Sequence, residues 1–321
     1  MIDDTIISLK EIKSKWYKLH DDAELRKTLR PEISNSWDRS YKNKVPRFSK
    51  TFANFSSKSD YAIALDNSKH LIDCATPIIE NLVEFLKDTG FVVSLTDPNL
   101  VMLKILGDNH SMEWARKVDL VEGSIWTEDL TGTNTGALGL LLSKPISLFG
   151  YEHFCLSSIS STASGCPIID NGHTIGGIGM VAPYNKVRNN HTLGLVTAAA
   201  KQIQSNMLLK RIYKYQQVIL NSMSDGVMVI DRKSNITFMN KKCSRLLGFQ
   251  QTNVVGSNLN NLFGNIADNL YFINTIKQDQ VVTDKFFVIT NGKLKIKCNV
   301  TCTPIRSSNK YDKGNVVIIR E

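Results

Sequence analysis

The sequence has no apolar run approaching the ~18 residues that a membrane helix needs. The longest, Gly136 to Leu142, falls far short. No basic segment followed by an apolar stretch opens MIDDTIISLK, so no secretory signal is visible. Six cysteines in 321 residues (Cys74, Cys155, Cys166, Cys243, Cys298 and Cys302) form no C-x-x-C pair. Such usage excludes a disulfide scaffold and reads as reduced thiols in a cytoplasmic protein without membrane association. Also missing are a G-x-x-x-x-G-K-[ST] phosphate loop, H-E-x-x-H, G-x-S-x-G and paired Cys/His zinc spacing. His153 and Cys155 share one face of a would-be strand, as do Cys298 and Cys302, but neither pair has further ligands near it. No metal site and no enzyme activity are therefore expected.

What is there is enough apolar content, 42%, for real cores, and enough length for about two domains. The formal charge of +9 is unevenly spread: +4 over residues 1–60, −5 over 61–206 and +10 over 207–321. The last third scatters its lysines over strands and turns (Lys285, Lys293, Lys295, Lys297), which suits a solvated strand face better than a DNA groove. No helix-turn-helix or zinc-finger pattern occurs.

Periodicity orders the chain. Ile7, Ile12, Trp16 and Leu19 recur at helical spacing. Pro31 opens a second short helix with Ile33 and Trp37 on one face, and VPRFSKTFANFSSKSD reads as a linker. Residues Ile63 to Leu86 form one amphipathic helix. FVVSLTD and VMLKILGD form a hairpin, and a helix runs from about Asn134 to Leu142. SISSTASGCPIID and HTIGGIGMVAPY pair through Asp170-Asn171-Gly172. A long helix runs from His191 to about Met223, then two strands, short helical segments with Asn240 as a cap and Cys243 packed inside, and three antiparallel strands. The expected fold class is α+β, with a helical leader and linker (residues 1–60), a sensor domain (61–206) and a helix plus second domain (207–321).

Residues 123–150, GSIWTEDLTGTNTGALGLLLSKPISLFG, combine tight turns with a small-residue helix. Two readings of Trp126, Glu128, Thr133, Asn134 and His153 stand. One is the mouth of a small-molecule pocket; the other is a capped helix whose polar side chains satisfy their own backbone. Thr162 and Ser164 alternate with Ala163 and Gly165, so both hydroxyls are expected on one side of a strand, facing a ligand or a helix. On the long helix, Leu193, Val196, Ile203 and Met207 form one stripe. Leu208, Ile212, Tyr215 and Ile219 continue it with 4-3-4 spacing, which fits a dimerising coiled-coil seam or packing on a sheet.

W-x-E-x-x-x-G-T-N-x-x-G from Trp126, F-G-x-E-H-F from Phe149, C-P-I-x-D-x-x-G from Cys166 and the helix HTLGLVTAAAKQI together resemble the GAF domain of bacterial sigma-54 enhancer-binding activators. The subfamily is that of acetoin and of glycerol or dihydroxyacetone catabolism. I-x-x-S-W-x-R-S (Ile33, Ser36, Trp37, Arg39, Ser40) resembles the leader before that domain. S-M-x-D-G-V-x-x-I-D, I-x-x-M-N-x-x-x-x-x-L-L-G and V-x-G resemble a PAS domain. Ala163 stands where such proteins often carry a cysteine, and GTNTGA only echoes the family's sigma-contacting ATPase loop.

The resemblance implies a cytoplasmic GAF–PAS sensory region, with a small effector (a small alcohol, diol or ketone) in the GAF pocket and a homodimerising signalling helix. ATP, Mg, DNA and sigma-54 RNA polymerase would be engaged only by ATPase and helix-turn-helix modules that this sequence lacks, so no cofactor is expected here. The chain stops at NVVIIRE, where a last PAS strand would end, and is expected to be part of a longer regulator. Control by docked metabolic enzyme subunits and the sensory region of a kinase are the alternatives.

Overall fold

A computed structural model describes residues 8–48, 55–184, 190–249, 254–264, 266–278, 280–306 and 314–321. It divides into two compact units, Met1–Leu209 and Lys210–Glu321. Among the described residues, no helix is long and apolar enough to cross a membrane.

The first unit opens with α1 (Leu9–Asp21), α2 (Ala23–Arg26) and α3 (Pro31–Lys42), followed by α4 (Lys58–Asn67) and α5 (Lys69–Phe85). A Ser8–Glu11 capping box starts α1, and Pro31 occupies the first turn of α3. The single helix expected over Ile63–Leu86 is broken at Ser68, whose φ and ψ of −97° and 6° leave the helical basin. The two pieces do different jobs: α4 buries only Ala64, whereas α5 buries Leu71, Cys74, Ala75, Ile79 and Leu82.

The sheet of this unit contains β1 (Val92–Thr96), β2 (Met102–Gly107), β3 (Ile146–Phe149), β4 (Ser161–Asp170) and β5 (His173–Pro183), in the order β2-β1-β5-β4-β3, antiparallel throughout. The β4–β5 hairpin turns at Asn171 and Gly172, both at positive φ (49° and 80°), the backbone that an Asn-Gly pair adopts most readily. Between β2 and β3 lie α6 (Asn109–Lys117), α7 (Glu128–Thr131) and α8 (Thr135–Leu142). Helix α6 was not anticipated from sequence: it is short, and it buries only Ser111 and Ala115 fully, with Met112 and Trp114 packed beside them.

Alternation along the strands sorts the two faces. Val93, Leu95, Cys166, Ile168 and Met180 pack with α5 and with Val196, Ile203 and Met207 of α9 (Asn190–Ser222). The opposite face carries α8. The leader is part of this unit's core: Ile12, Trp16, Leu19, Ile33 and Trp37 are fully buried against Leu148, Phe149 and Phe154. The expected linker falls partly on residues 49–54, outside the described residues, but Val45 joins the same core.

The second unit holds β6 (Gly226–Asp231), β7 (Ile236–Met239), α10 (Lys241–Leu247), α11 (Leu259–Phe263), α12 (Ala267–Ile276), β8 (Val282–Asn291), β9 (Leu294–Ile305) and β10 (Gly314–Arg320). Its sheet order is β7-β6-β10-β9-β8. Numbered within each unit, both sheets run 2-1-5-4-3, so one topology is used twice. Helices α10, α11 and α12 cover one face, with Phe263, Phe272 and Ile276 packed on Ile289, Val300 and Val317. Helix α12 was also not anticipated. Asn240 caps α10 as expected, accepting from the amides of Cys243 and Val227 at 2.8 and 2.9 Å, and Cys243 is fully buried.

Candidate functional site

The first unit holds a cavity of about 80 Å³ between its sheet and α8. Small residues make the room. Gly165, Gly177 and Gly179 form the floor on β4 and β5, and α8 approaches Gly165 through Thr135 and Gly177 through Leu140. At Gly165 a Cβ would stand 3.0 Å from the Thr135 carbonyl oxygen, and at Gly179 it would stand 2.8 Å from Ser94 Oγ. Leu100, Met102, Trp114, Leu120, Trp126 and Val181 give apolar walls. Ser94, Thr96, Asn134, Thr135, His153, Ser157, Ser158 and Ser161 supply polar atoms, and no Asp, Glu, Lys or Arg is among the described lining residues.

Of the residues singled out in the sequence, Trp126, Asn134 and His153 line the cavity, whereas Glu128, Thr133, Thr162 and Ser164 do not. Thr162 and Ser164 share the parity of Cys166 and Ile168, so they turn toward the opposite face of the sheet, and their neighbours Ser161, Ala163 and Gly165 line the cavity instead. Asn134 lines the cavity and also caps α8. Its Oδ1 accepts from the Ala137 amide at 2.8 Å, and its Nδ2 donates to Trp126 O, Thr131 Oγ1 and Gly132 O at 2.9–3.0 Å. The helix is capped and Asn134 has little left for a ligand.

Glu128 and Thr133 belong to a clamp. Arg39 reaches Glu128 with Nε–Oε2 at 2.5 Å and Nη2–Oε1 at 2.9 Å, a bidentate pair. Ser36 Oγ donates to Glu128 Oε1 and lies 2.8 Å from Thr133 Oγ1. The two motifs that carried the family resemblance, one on α3 and one around α7, are thus two halves of one contact. A second set of leader contacts holds the segment after β3. Trp37 Nε1 donates to Glu152 O at 2.9 Å, Trp16 Nε1 to His153 O and Phe154 O at 3.1 Å, and His20 Nε2 to Phe154 O at 3.1 Å. The Glu152 carboxylate, itself buried, takes Arg30 at 3.1 Å and the Phe149 amide at 2.9 Å.

These contacts overturn the strand expected through His153 and Cys155. Gly150, at φ 41°, starts a 3₁₀ turn over Gly150–Glu152, and a second follows at Leu156–Ser158. The carbonyls that a strand would offer to a neighbour are taken by leader side chains. Cys155 Sγ donates to Thr131 O at 3.3 Å, and burial pushes its thiol up to about 12, so it stays protonated. No cluster of three or more His, Cys, Asp or Glu occurs among the described residues.

Sequence reasoning passed over Ser94 and Thr96, although two hydroxyls two apart on an apolar strand share a face. It also missed Trp114 and Ser157, which lie in segments without periodicity. On α9, Leu208, Ile212, Tyr215 and Ile219 are all exposed, an unpartnered apolar row.

The fold and site define a class first: a chain of two like-topology α+β modules, one holding a small cavity. Residues 224–321 match the PAS domain family, and the second unit is a PAS domain. The chain is related to bacterial regulators of catabolic operons. It is 27% identical over 271 residues to a signal-transduction and transcriptional-control protein of Clostridium beijerinckii, covering 82% of this chain and 42% of that protein. It is 26% identical over 199 residues to AcoR, the acetoin dehydrogenase operon transcriptional activator of Bacillus subtilis, covering 62% of this chain and 32% of AcoR. Regulatory proteins of glycerol and dihydroxyacetone kinase operons match as well. The matched region thus spans less than half the length of these relatives. The crystal structure of the Escherichia coli DhaR(N)–DhaL complex covers 91% of this chain and all of the matched chain, with a TM-score of 0.61 and 19% identity, which shows the same fold.

Burial also gives the site a pH signature. His20 and His153 are both pushed down to about 4 from 6.5, mainly by desolvation. A histidine held neutral in the folded state binds a proton more readily when unfolded, so stability falls as pH drops through the window from about 6.5 to about 4. Asp108 and Glu113, whose carboxyls are lowered by hydrogen bonds, act only at more acidic pH. All four tryptophans lie in the first unit, so their fluorescence reports it alone. The urea midpoint followed this way falls between pH 7 and 5; an unchanged midpoint over that range contradicts the buried neutral histidines.

Proposed function

We propose that this chain is the sensory region of a bacterial transcriptional activator, with the first unit acting as a GAF-type effector domain. The observation that carries the reading is the uncharged cavity whose wall is held by the leader helices. Its volume is about half the ~150 Å³ that admits benzene, so it suits a molecule of roughly three to six non-hydrogen atoms. Small alcohols, diols and ketones are of that size. The reading assigns the chain no catalysis, leaves the PAS domain without a cofactor and places the protein in the cytoplasm. Sigma-54 polymerase and DNA would be met by other parts of a longer regulator, as the resemblance implies.

A second reading has its own support: the solved DhaR(N) structure is a complex with DhaL. Control of this chain by a docked protein follows if the cavity proves idle. A thermal-shift screen of small alcohols, diols and ketones separates the two. The effector reading expects a stabilising ligand whose shift disappears in Ala163→Leu, which fills the cavity from β4. An equal shift in that variant would put the ligand elsewhere, and no shift with any compound leaves protein docking as the better reading.

The exposed apolar residues of α9, Leu208, Ile212, Tyr215 and Ile219 with Leu209, Tyr213 and Val218 beside them, support a homodimer through that helix, since apolar surface at coiled-coil spacing is stabilised by a second copy. Light scattering after size exclusion is expected to give a dimer that Ile212→Glu converts to monomer. A wild-type monomer at high concentration contradicts the dimer.

A further inference from the structure

The chemistry of the lining narrows what the cavity can hold, an inference that rests on the effector reading above. Charge is the first filter. With no ionic side chain among the described lining residues, a carboxylate or ammonium ligand would be desolvated without a counter-charge, which is strongly unfavourable. Hydrogen-bonding capacity is the second. Much of the polar lining is already committed: Asn134 to its own helix and loop, and Ser161 Oγ to Ser158 O at 2.7 Å. The Trp126 indole N–H donates outside the lining, to Ser124 Oγ at 2.8 Å.

Two groups are left over. Ser157 Oγ is shut off from solvent and has no hydrogen-bond partner. His153 is fixed by a 3.1 Å bond between Nδ1 and Gly150 O. Because a carbonyl only accepts, Nδ1 carries the proton, and on the neutral ring Nε2 is then a pure acceptor. His153 lines the cavity, so this acceptor is the one the ring can offer there. A buried hydroxyl without a partner is costly, and a ligand that satisfies it while donating to the imidazole acceptor removes that cost. Ser94 and Thr135 add further hydroxyls to the lining.

We propose that the cavity binds a small uncharged hydroxy compound whose hydroxyl donates to His153 Nε2 and accepts from Ser157 Oγ. A ketone can accept from Ser157 but has no proton for Nε2. A diol satisfies both and leaves a second hydroxyl for the remaining serine and threonine. The main chain of His153 is held from behind by Trp16, so the imidazole is presented to the cavity rather than free to swing away.

Calorimetry at neutral pH with four probes of nearly equal size tests this: propane-1,2-diol, butan-2-one, lactate and 1-aminopropan-2-ol. The diol is expected to bind at least about tenfold more tightly than the other three. His153→Phe and Ser157→Ala are each expected to weaken it by roughly 5- to 100-fold, as for loss of one partner of a buried hydrogen bond. His153→Asn, which keeps an acceptor, is expected to retain more of the affinity than His153→Phe and so separates a lost bond from a disturbed fold. Equal binding of butan-2-one, lactate or the amino alcohol overturns the hydroxy-compound assignment while the cavity reading stands, as does a diol affinity unaffected by both substitutions. No binding of any probe to the wild-type chain overturns both.

Discussion

Three consecutive main-chain carbonyls, those of Glu152, His153 and Phe154, set the constraint on which the first unit is built. They lie in a buried segment that has left the sheet and has no strand beside it. Each would cost about 1–3 kcal/mol if left unpaired there. The indole N–H groups of Trp37 and Trp16 and the imidazole of His20 satisfy them, and these donors come from α1 and α3. The leader is therefore a structural member of the domain, and it sits directly behind the residue that presents its ring to the cavity. The Arg39–Glu128 pair and the Ser36–Thr133 contact repeat the arrangement on the neighbouring segment, so the leader grips the cavity's rim at two places.

This arrangement explains which parts of the fold could be read from the sequence. Elements governed by local signals were legible: the strand pairs, the Asn171-Gly172 turn, the capped helix at Asn134, the long helix into the second unit and the three closing strands. Those whose identity depends on distant partners were not. Residues 150–158 have the apolar alternation of a strand, but their carbonyls are claimed from more than a hundred positions away. Helix α6 is only nine residues long, and its apolar face, Met112, Trp114 and Ala115, is small and broken by charged residues. Helix α12, by contrast, does bury Phe272, Ile273 and Ile276 at helical spacing, but it is short and set among asparagines.

The site was half legible for the same reason. Composition marked Trp126, Asn134 and His153 correctly as cavity neighbours. The polar residues Glu128 and Thr133 looked like ligand contacts because their true partners, Arg39 and Ser36, lie some ninety residues earlier. Thr162 and Ser164 do share one side of β4, but whether it faced a ligand or a helix stayed open, because alternation gives parity and not which parity faces the cavity; the glycines at 165 and 179, where a Cβ would collide, decide that. A motif resemblance can thus be specific to a family while marking the contacts that hold a site rather than those that touch a ligand.

The two units use one strand order for different ends. In the second, the interior is filled by Phe263, Phe272 and their neighbours from three helices. In the first, glycines thin the sheet surface beneath α8 and leave a space that the leader then walls in. Hydrogen exchange in a Trp16→Phe, Trp37→Phe double variant tests that account most directly, since it removes both indole donors, leaves only His20 on Phe154 O, and keeps most of the ring volume. Amides of residues 149–156 are predicted to exchange roughly tenfold faster or more, while the PAS domain keeps its protection. Unchanged exchange over 149–156 would contradict the claim that the leader holds the cavity wall.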